Sequence, residues 1–472
     1  MNALILTLGL MLGQTPYFPG MSRPALENLK LEQSSGPVIF IIVDALRPDH
    51  LTPYGFDRPT SPFLHGLADE GVILTRAYVN ANWTRPSSTS ILTGLLPREH
   101  KVETQNAVLP KDVDTLAEHL KKKGIPTAGI IANGNASSAF GLSQGFDYYI
   151  DANNTWGNLP NARDVVSHAK DYIYKNKTEP FFLFLFLIDP HNPYRAPQIY
   201  EDAFVRNPEV KLIDTPHWEK QKYSKQQIER MLDTYDASVR FTDDALGELF
   251  DYLRQLQIYE KSTILVSADH GEAFGEHDVY MHAHHLYEEI IRVPLIIKQP
   301  GWQHPGTYYS GLFESVDFVP TILGFYGIDT PTTLSGRNWT QITPIQEQKN
   351  RTIFSDFYHF GIKRQTLIKG AHKIVYSLPA DKKDYIKTVG NPKLLPSVSF
   401  VDHNIKFFDL HKDPLEKNDL YSLENTKAAP WKELFTTLLM HIEKRGQANP
   451  NLENSTLSKQ TLSNLKALGY IQ

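Results

Sequence analysis

The chain has 472 residues, 48 Lys and Arg against 53 Asp and Glu, a formal net charge of −5, and no cysteine. It carries no basic stripe and no long run of one sign, which argues against nucleic acid or an anionic membrane as a partner. Without cysteine there are no disulfides, no thiolate metal sites and no thiol catalysis.

Residues 3–13 (ALILTLGLMLG) form a short apolar run like the core of a signal peptide, too short to span a bilayer. The expectation is a periplasmic or secreted protein with a signal over 1–20, a linker over 21–36 and no stable membrane span. Apolar runs then alternate with helical patterns: VIFIIV at 38–43, then 72–79, PTAGIIA at 126–132, FFLFLFLI at 181–188, TILVS at 263–267 and VPLII at 293–297. Such alternation predicts an α/β fold, a large mainly parallel sheet flanked by helices over 37–340. Ile228, Leu232, Tyr235, Val239, Ala245, Leu249, Leu253 and Leu256 keep a 3.6-residue stripe, so one long helix precedes the 263–267 strand. After about residue 353 come shorter strand-like pieces (TIFSDFY, HKIVYS, IKFFDL) without βαβ spacing. They predict a smaller C-terminal antiparallel α+β subdomain over 341–445, followed by a tail over 446–472.

Carboxylates recur where the buried strands end. Asp44 follows 38–43, Asp189 follows 181–188, and Asp269 follows 263–267 with His270 beside it. In open α/β sheets the carboxyl edge of the strands is where ligands bind. A carboxylate next to an imidazole offers two donors to a divalent cation such as Zn²⁺ or Mn²⁺. Taken singly, Asp269-His270 also reads as a solvated turn, and Asp189, before Pro190, as a turn cap. The stretch NWTRPSSTSILTG at 82–94 places Thr84 at or just before a helix start, with Pro86 in the first turn and Gly94 at the far end. An anion is favoured there, and a hydroxyl beside a dication can be activated; a lone threonine there also serves as an N-cap.

The runs VDALRPDHLTPYGFDRPTSPFLHGLADEGV, NWTRPSSTSILTGLLPREH, SADHGEAFGEH and LYEEIIRVPLII together resemble the sulfatase family of the alkaline phosphatase superfamily, and FFDLHKDPLEKNDL with the final LKALGYI extends the likeness to nearly the whole chain. The resemblance implies an alkaline-phosphatase-like fold and a divalent metal held by Asp44, Asp269 and His270, with Thr84 at the nucleophile position. It also places Arg85 and His284 against substrate, and His191, in DPHNPY, facing it. Three departures stand out. Related sulfatases carry C/S-x-P-x-R, whose Cys or Ser becomes formylglycine, whereas this chain reads T-R-P-S-S, with Ser88 in the arginine position. Ala45 replaces the second Asp of an Asp-Asp pair, and AGIIANGNAS lacks the usual lysine and histidine after the third strand.

A threonine at this position resembles the phosphate-handling branches of the superfamily, and His282 has the spacing from His270 of a histidine in the phosphoethanolamine transferases. The expectation is therefore a metal-dependent hydrolase or transferase of phosphate esters, diesters above all, working through Thr84 with His191 and His282 on substrate oxygens or the leaving group. The alternatives are a sulfuric ester hydrolase lacking formylglycine and a catalytically silent binding protein. Zn²⁺ or Mn²⁺ is favoured over Ca²⁺ or Mg²⁺, at one site with a second as the alternative. The expected substrate is a small-molecule, glycan or lipid-headgroup ester.

Overall fold

Runs of apolar residues that offer no polar face become strands buried on both sides, and this is how the large sheet assembles. In chain order its strands are β1 (Ala25–Leu26), β2 (Val38–Val43), β3 (Val72–Tyr78), β4 (Thr127–Ile131), β5 (Tyr148–Ile150), β6 (Phe182–Leu187) and β7 (Thr263–Ser267). A two-stranded hairpin of β8 (Ala273–Phe274) and β9 (Tyr280–Met281) precedes β10 (Arg292–Lys298), β11 (Thr307–Tyr309) and β12 (Phe313–Glu314). The computed structural model describes residue 18 and residues 21–151, 159–213, 222–341, 351–359, 362–378, 404–421 and 430–443. The apolar run at 3–13 and the tail at 446–472 lie outside the described residues.

The strand order is β1-β11-β3-β10-β7-β2-β6-β4-β5, with β12 paired to β3. Every pairing in this sheet is parallel except those of β10 with β3 and with β7. All six residues of β2 and all six of β6 are buried. The central strands β7, β2, β6 and β4 run in one direction, so the residues that follow them (Asp269, Asp44, Asp189 and Asn133) leave along a single edge.

Two helices matter most to that edge. Lys225–Gln255 starts on a capping box, with the Ser224 side chain accepting from the Gln227 N–H, and its buried Tyr235 donates a 2.8 Å hydrogen bond to the Ala45 carbonyl. Thr84–Thr93 is buried along its whole length and begins after an extended Trp83. It ends at Gly94, whose φ of 69° is the left-handed conformation that glycine adopts without a Cβ penalty. Thr84 is thus the first helical residue, as the Pro86 and Gly94 spacing predicts.

A second, antiparallel sheet holds β13 (Thr352–His359), β14 (Ile362–Lys369), β15 (His372–Leu378) and β16 (Asn404–Asp409), in that order. The sequence pattern marked β13, β15 and β16 but not β14, whose IKRQTLIK mixes charge into both halves of the alternation. Helix Pro430–Glu443 packs on the sheet through Leu434 and Leu438 against Leu367, Ile374 and Phe407. The two sheets are stitched together. Asn80 donates to the Phe354 carbonyl at 2.7 Å, and its own carbonyl accepts from the Asp356 N–H at 2.9 Å. Among the described residues no helix is long and apolar enough to cross a membrane.

Candidate active site

The carboxyl edge brings Asp44, Asp269 and His270 together. One ligand atom from each lies within 4.8 Å of the others, and all three side chains are fully buried. Asp269 is held by its Oδ1, which accepts from the His270 N–H at 3.0 Å and the Ala45 N–H at 3.3 Å. The second bond depends on Ala45 turning into the left-handed region, φ 56°, a conformation a residue with a Cβ adopts rarely. Asp269 Oδ2 then faces His270 Nε2 at 3.3 Å, while Asp44 Oδ1 stands 3.6 Å from the same nitrogen. Both oxygens are buried without a hydrogen-bond partner.

The histidines have defined tautomers, because their Nδ1 partners can only accept. His270 Nδ1 donates to the Gly271 carbonyl at 2.9 Å and His191 Nδ1 to the Asn192 carbonyl at 2.5 Å. His282 Nδ1 lies 3.0 Å from Glu272 Oε1. In the neutral ring each Nε2 is left as the lone-pair atom that metal ligation or proton acceptance needs. The His282 ring centroid is 4.1 Å from that of His270 and 4.9 Å from that of His191, so the three imidazoles form one cluster.

Electrostatics follow from burial. Desolvation, with Asp269 adding repulsion, pushes the Asp44 carboxyl well above the usual carboxylate range. Desolvation also lifts Asp269 to about 7, against the pull of His282. Burial and then His282 depress His270 well below the ordinary imidazole value and take His191 down to about 3. Two buried carboxylates with orphaned oxygens, facing an imidazole lone pair, are costly in an apolar interior unless a cation offsets them. The residues present therefore fit a divalent cation, and Asp44, Asp269 and His270 would hold it. A mixed carboxylate and imidazole donor set does not by itself choose the metal.

Thr84 joins this group, its Oγ1 3.3 Å from His270 Nε2. Arg85 is turned to the protein: its guanidinium stacks over Phe140 at 3.3 Å, donates to Asn135 Oδ1 at 2.6 Å and bonds the Gln105 carbonyl. His284 is buried, and its carbonyl accepts from Arg364 on β14. The measured contacts thus gather Thr84, His191, His282, Asp44, Asp269 and His270, and they do not draw Arg85 or His284 into the cluster. Asp189 sits at the end of β6 and accepts a backbone hydrogen bond from Ala162, the first residue of helix Ala162–Asn176, whose N-cap is Asn161.

Two residues were missed. Glu272, fully buried behind His282, looked like any other carboxylate of the His-rich stretch. Asn133 follows β4, in the stretch that departs from the family by lacking both a lysine and a histidine, and its Nδ2 donates to Asp44 Oδ2 at 2.5 Å and to Thr84 Oγ1 at 3.4 Å.

Residues 37–328 match the Sulfatase family, and residues 275–444 match the family described as N-sulphoglucosamine sulphohydrolase, C-terminal. The chain is 27% identical to an ulvan-active sulfatase of Formosa agariphila over 83% of this chain and 78% of that protein. It is 24% identical to an arylsulfatase of Clostridium perfringens over 83% of this chain and 91% of that one. A solved structure of a protein bound to its substrate D-glucosamine-2-N,6-O-disulfate superposes with a TM-score of 0.70 at 19% identity, covering 89% of this chain and 100% of that chain. These likenesses overturn the expectation of phosphate-ester chemistry, which rested on Thr84, the other departures and the spacing of His282, and favour the alternative of sulfuric ester hydrolysis. The side chain at position 84 bears on how a covalent intermediate would break down, whereas the ulvan-active sulfatase and the arylsulfatase, each matching 83% of the chain, are named for sulfate-ester hydrolysis. With the family match spanning residues 37–328 and the fold agreeing across both sheets, the chain belongs to the sulfatase family of the alkaline phosphatase superfamily.

Proposed function

We propose that the protein is a metal-dependent sulfuric ester hydrolase that works without formylglycine, acting on a sulfated glycan or a smaller sulfated alcohol. The observation that carries this reading is the buried Asp44, Asp269 and His270 group within a chain similar along most of its length to an ulvan-active sulfatase. A sulfated sugar as substrate is supported by the disulfated glucosamine bound in the similar structure. Export, proposed from the apolar run at 3–13, would place the enzyme where such polymers occur; mature protein beginning between residues 14 and 22 would support it, and an intact Met1 on cytoplasmic material would refute it.

A bound dication supplies Lewis-acid polarisation of a sulfuryl oxygen. The chain supplies the rest. Thr84 cannot form the aldehyde hydrate, and a sulfated threonine has no neighbouring hydroxyl to expel sulfate, so the reading takes water as the group that displaces the alcohol. The new bond forms between water oxygen and sulfur while the bond from sulfur to the alcohol oxygen breaks. His191, whose Nδ1 proton is committed to Asn192, accepts the water proton at Nε2. His282, whose Nδ1 faces the Glu272 carboxyl at 3.0 Å, delivers a proton from Nε2 to the departing alcohol oxygen. Thr84 Oγ1, the first helical residue's hydroxyl, holds a sulfuryl oxygen at the positive end of the helix dipole.

The test is turnover of aryl sulfate, sulfated monosaccharide, phosphate monoester and phosphate diester by protein loaded with Mn²⁺, Ca²⁺ or Zn²⁺, with released sulfate measured by ion chromatography. A kcat/KM highest for a sulfate ester is expected. Preference for any phosphate ester, or no sulfate release from any of the panel, overturns the reading.

A further inference from the structure

The loop after β4 contains an amide whose orientation the structure fixes. Asn133 Oδ1 accepts a 2.8 Å hydrogen bond from the Asn135 backbone N–H, and a backbone N–H can only donate. The carbonyl end of the side chain is therefore committed to the loop, and the NH₂ end must face the site, where it meets Asp44 Oδ2 at 2.5 Å and Thr84 Oγ1 at 3.4 Å. Asn133 is fully buried, as are both partners, so no water competes for these contacts.

Two consequences follow. Asp44 has one oxygen occupied by an N–H donor, which sets the rotation of its carboxylate and leaves Oδ1, without a partner, toward Asp269 and His270. Thr84 accepts at Oγ1 from the amide, so its own proton is directed elsewhere, and the Asp269 carboxyl takes a hydrogen bond from it. A neutral amide thus orders one cation ligand and the hydroxyl that faces the reacting group, without adding charge to the site.

We propose that Asn133 is a positioning residue that holds Asp44 in one-oxygen geometry for the cation and fixes the direction of the Thr84 hydroxyl. The proposal rests on the reading of Asp44, Asp269 and His270 as the cation group. Its rival is a purely local role, in which Asn133 only closes the turn onto Asn135.

The variant Asn133→Asp still accepts from the Asn135 N–H but loses the amide protons and sets a second carboxyl against Asp44, so wild-type behaviour in it would leave only the local role. Asn133→Ala removes both functions, and Asn133→Ser replaces it should that chain fail to fold. Isothermal titration with Mn²⁺ alone, on protein stripped by chelator, reads the hold on Asp44 independently of any substrate. The expected result is Mn²⁺ affinity weakened about 10-fold in Asn133→Ala, and kcat lowered about 10–100-fold in both variants with KM little changed, the scale usual for residues that orient metal ligands. Wild-type kcat in Asn133→Asp, or an unchanged Mn²⁺ Kd in Asn133→Ala, overturns the proposal. Wild-type protein that binds neither Mn²⁺ nor Ca²⁺ removes it together with the cation reading. Wild-type protein that binds Mn²⁺ without hydrolysing sulfate esters sinks the proposed function alone, and the titration then decides for or against Asn133.

Discussion

Two of the clusters of buried charge among the described residues are built on opposite plans. At the junction of the two sheets, Lys373 on β15 meets Glu416 at 2.9 Å and Glu288 at 3.2 Å, and all three are buried. Glu288 also takes a hydrogen bond from Tyr78, and Glu416 one from the Glu288 N–H. Each charge there has its counter-charge supplied by the chain. At the carboxyl edge, Asp44 and Asp269 are equally buried, yet the causes acting on them are their own burial, one another, Glu272 and imidazoles, with neither Lys nor Arg among the strongest. A buried charge neutralised by the chain serves the fold, whereas a buried charge left for something else to neutralise marks the place where function enters.

If that contrast is right, Asp269→Asn should abolish Mn²⁺ binding and turnover while leaving the melting temperature of chelator-treated protein at or above wild type, because the neutral amide removes an uncompensated carboxylate. A variant less stable than metal-free wild type would erase the contrast. At the junction the opposite is expected: Lys373→Met strands the Glu416 carboxylate, Glu288 keeping Arg292 at 3.8 Å, and should cost about 3–5 kcal/mol in urea unfolding, with turnover per folded molecule kept. Glu272→Gln should lower kcat about 10–100-fold, most for alcohols that are poor leaving groups, since the contact that orients the His282 ring through Nδ1 is altered; equal loss for all leaving groups would refute that role.

The smallest effect belongs to His277. Burial disfavours its charged form, but the Glu289 carboxylate at 2.9 Å more than reverses this, and the ring's pKa lies above its ordinary value. A raised folded-state pKa contributes stability that is fully present below the unfolded value near 6.5 and is lost as pH rises through the folded value. Wild type should therefore lose an increment of stability above pH 6.5 that His277→Gln never shows, measurable as the difference between their urea midpoints across pH 5.5 to 8.5.

The sequence made this edge readable for a physical reason. β2, β6 and β7 are buried on both faces, so each is an unbroken apolar run, and the first polar residue after such a run must be at the edge. Asp44, Asp269 and His270 stand there in plain view. Strands of two or three residues, such as β1, β11 and β12, are too short to show a period, and β14 is hidden by charged residues in both halves of its alternation. Asn133 escaped because an amide has no spacing signature, its meaning coming only from the partners that fix its two ends. The substrate class was misread because Thr84 was given more weight than the whole frame around it.

The bond from Arg364 to the His284 carbonyl has a consequence for how the protein is made. Thr84, Asp44, Asp269 and His270 have all left the ribosome before β14 is synthesised, yet the segment that carries His282 is tied down by a side chain that arrives some 80 residues after it. Nascent chains fold largely from the N-terminus onward, so a chain released before β14 would own every residue of the reaction centre and still lack the clasp on the loop beside His282. Ordering of the site is in this sense a late event in synthesis, and it reports that the second sheet has formed.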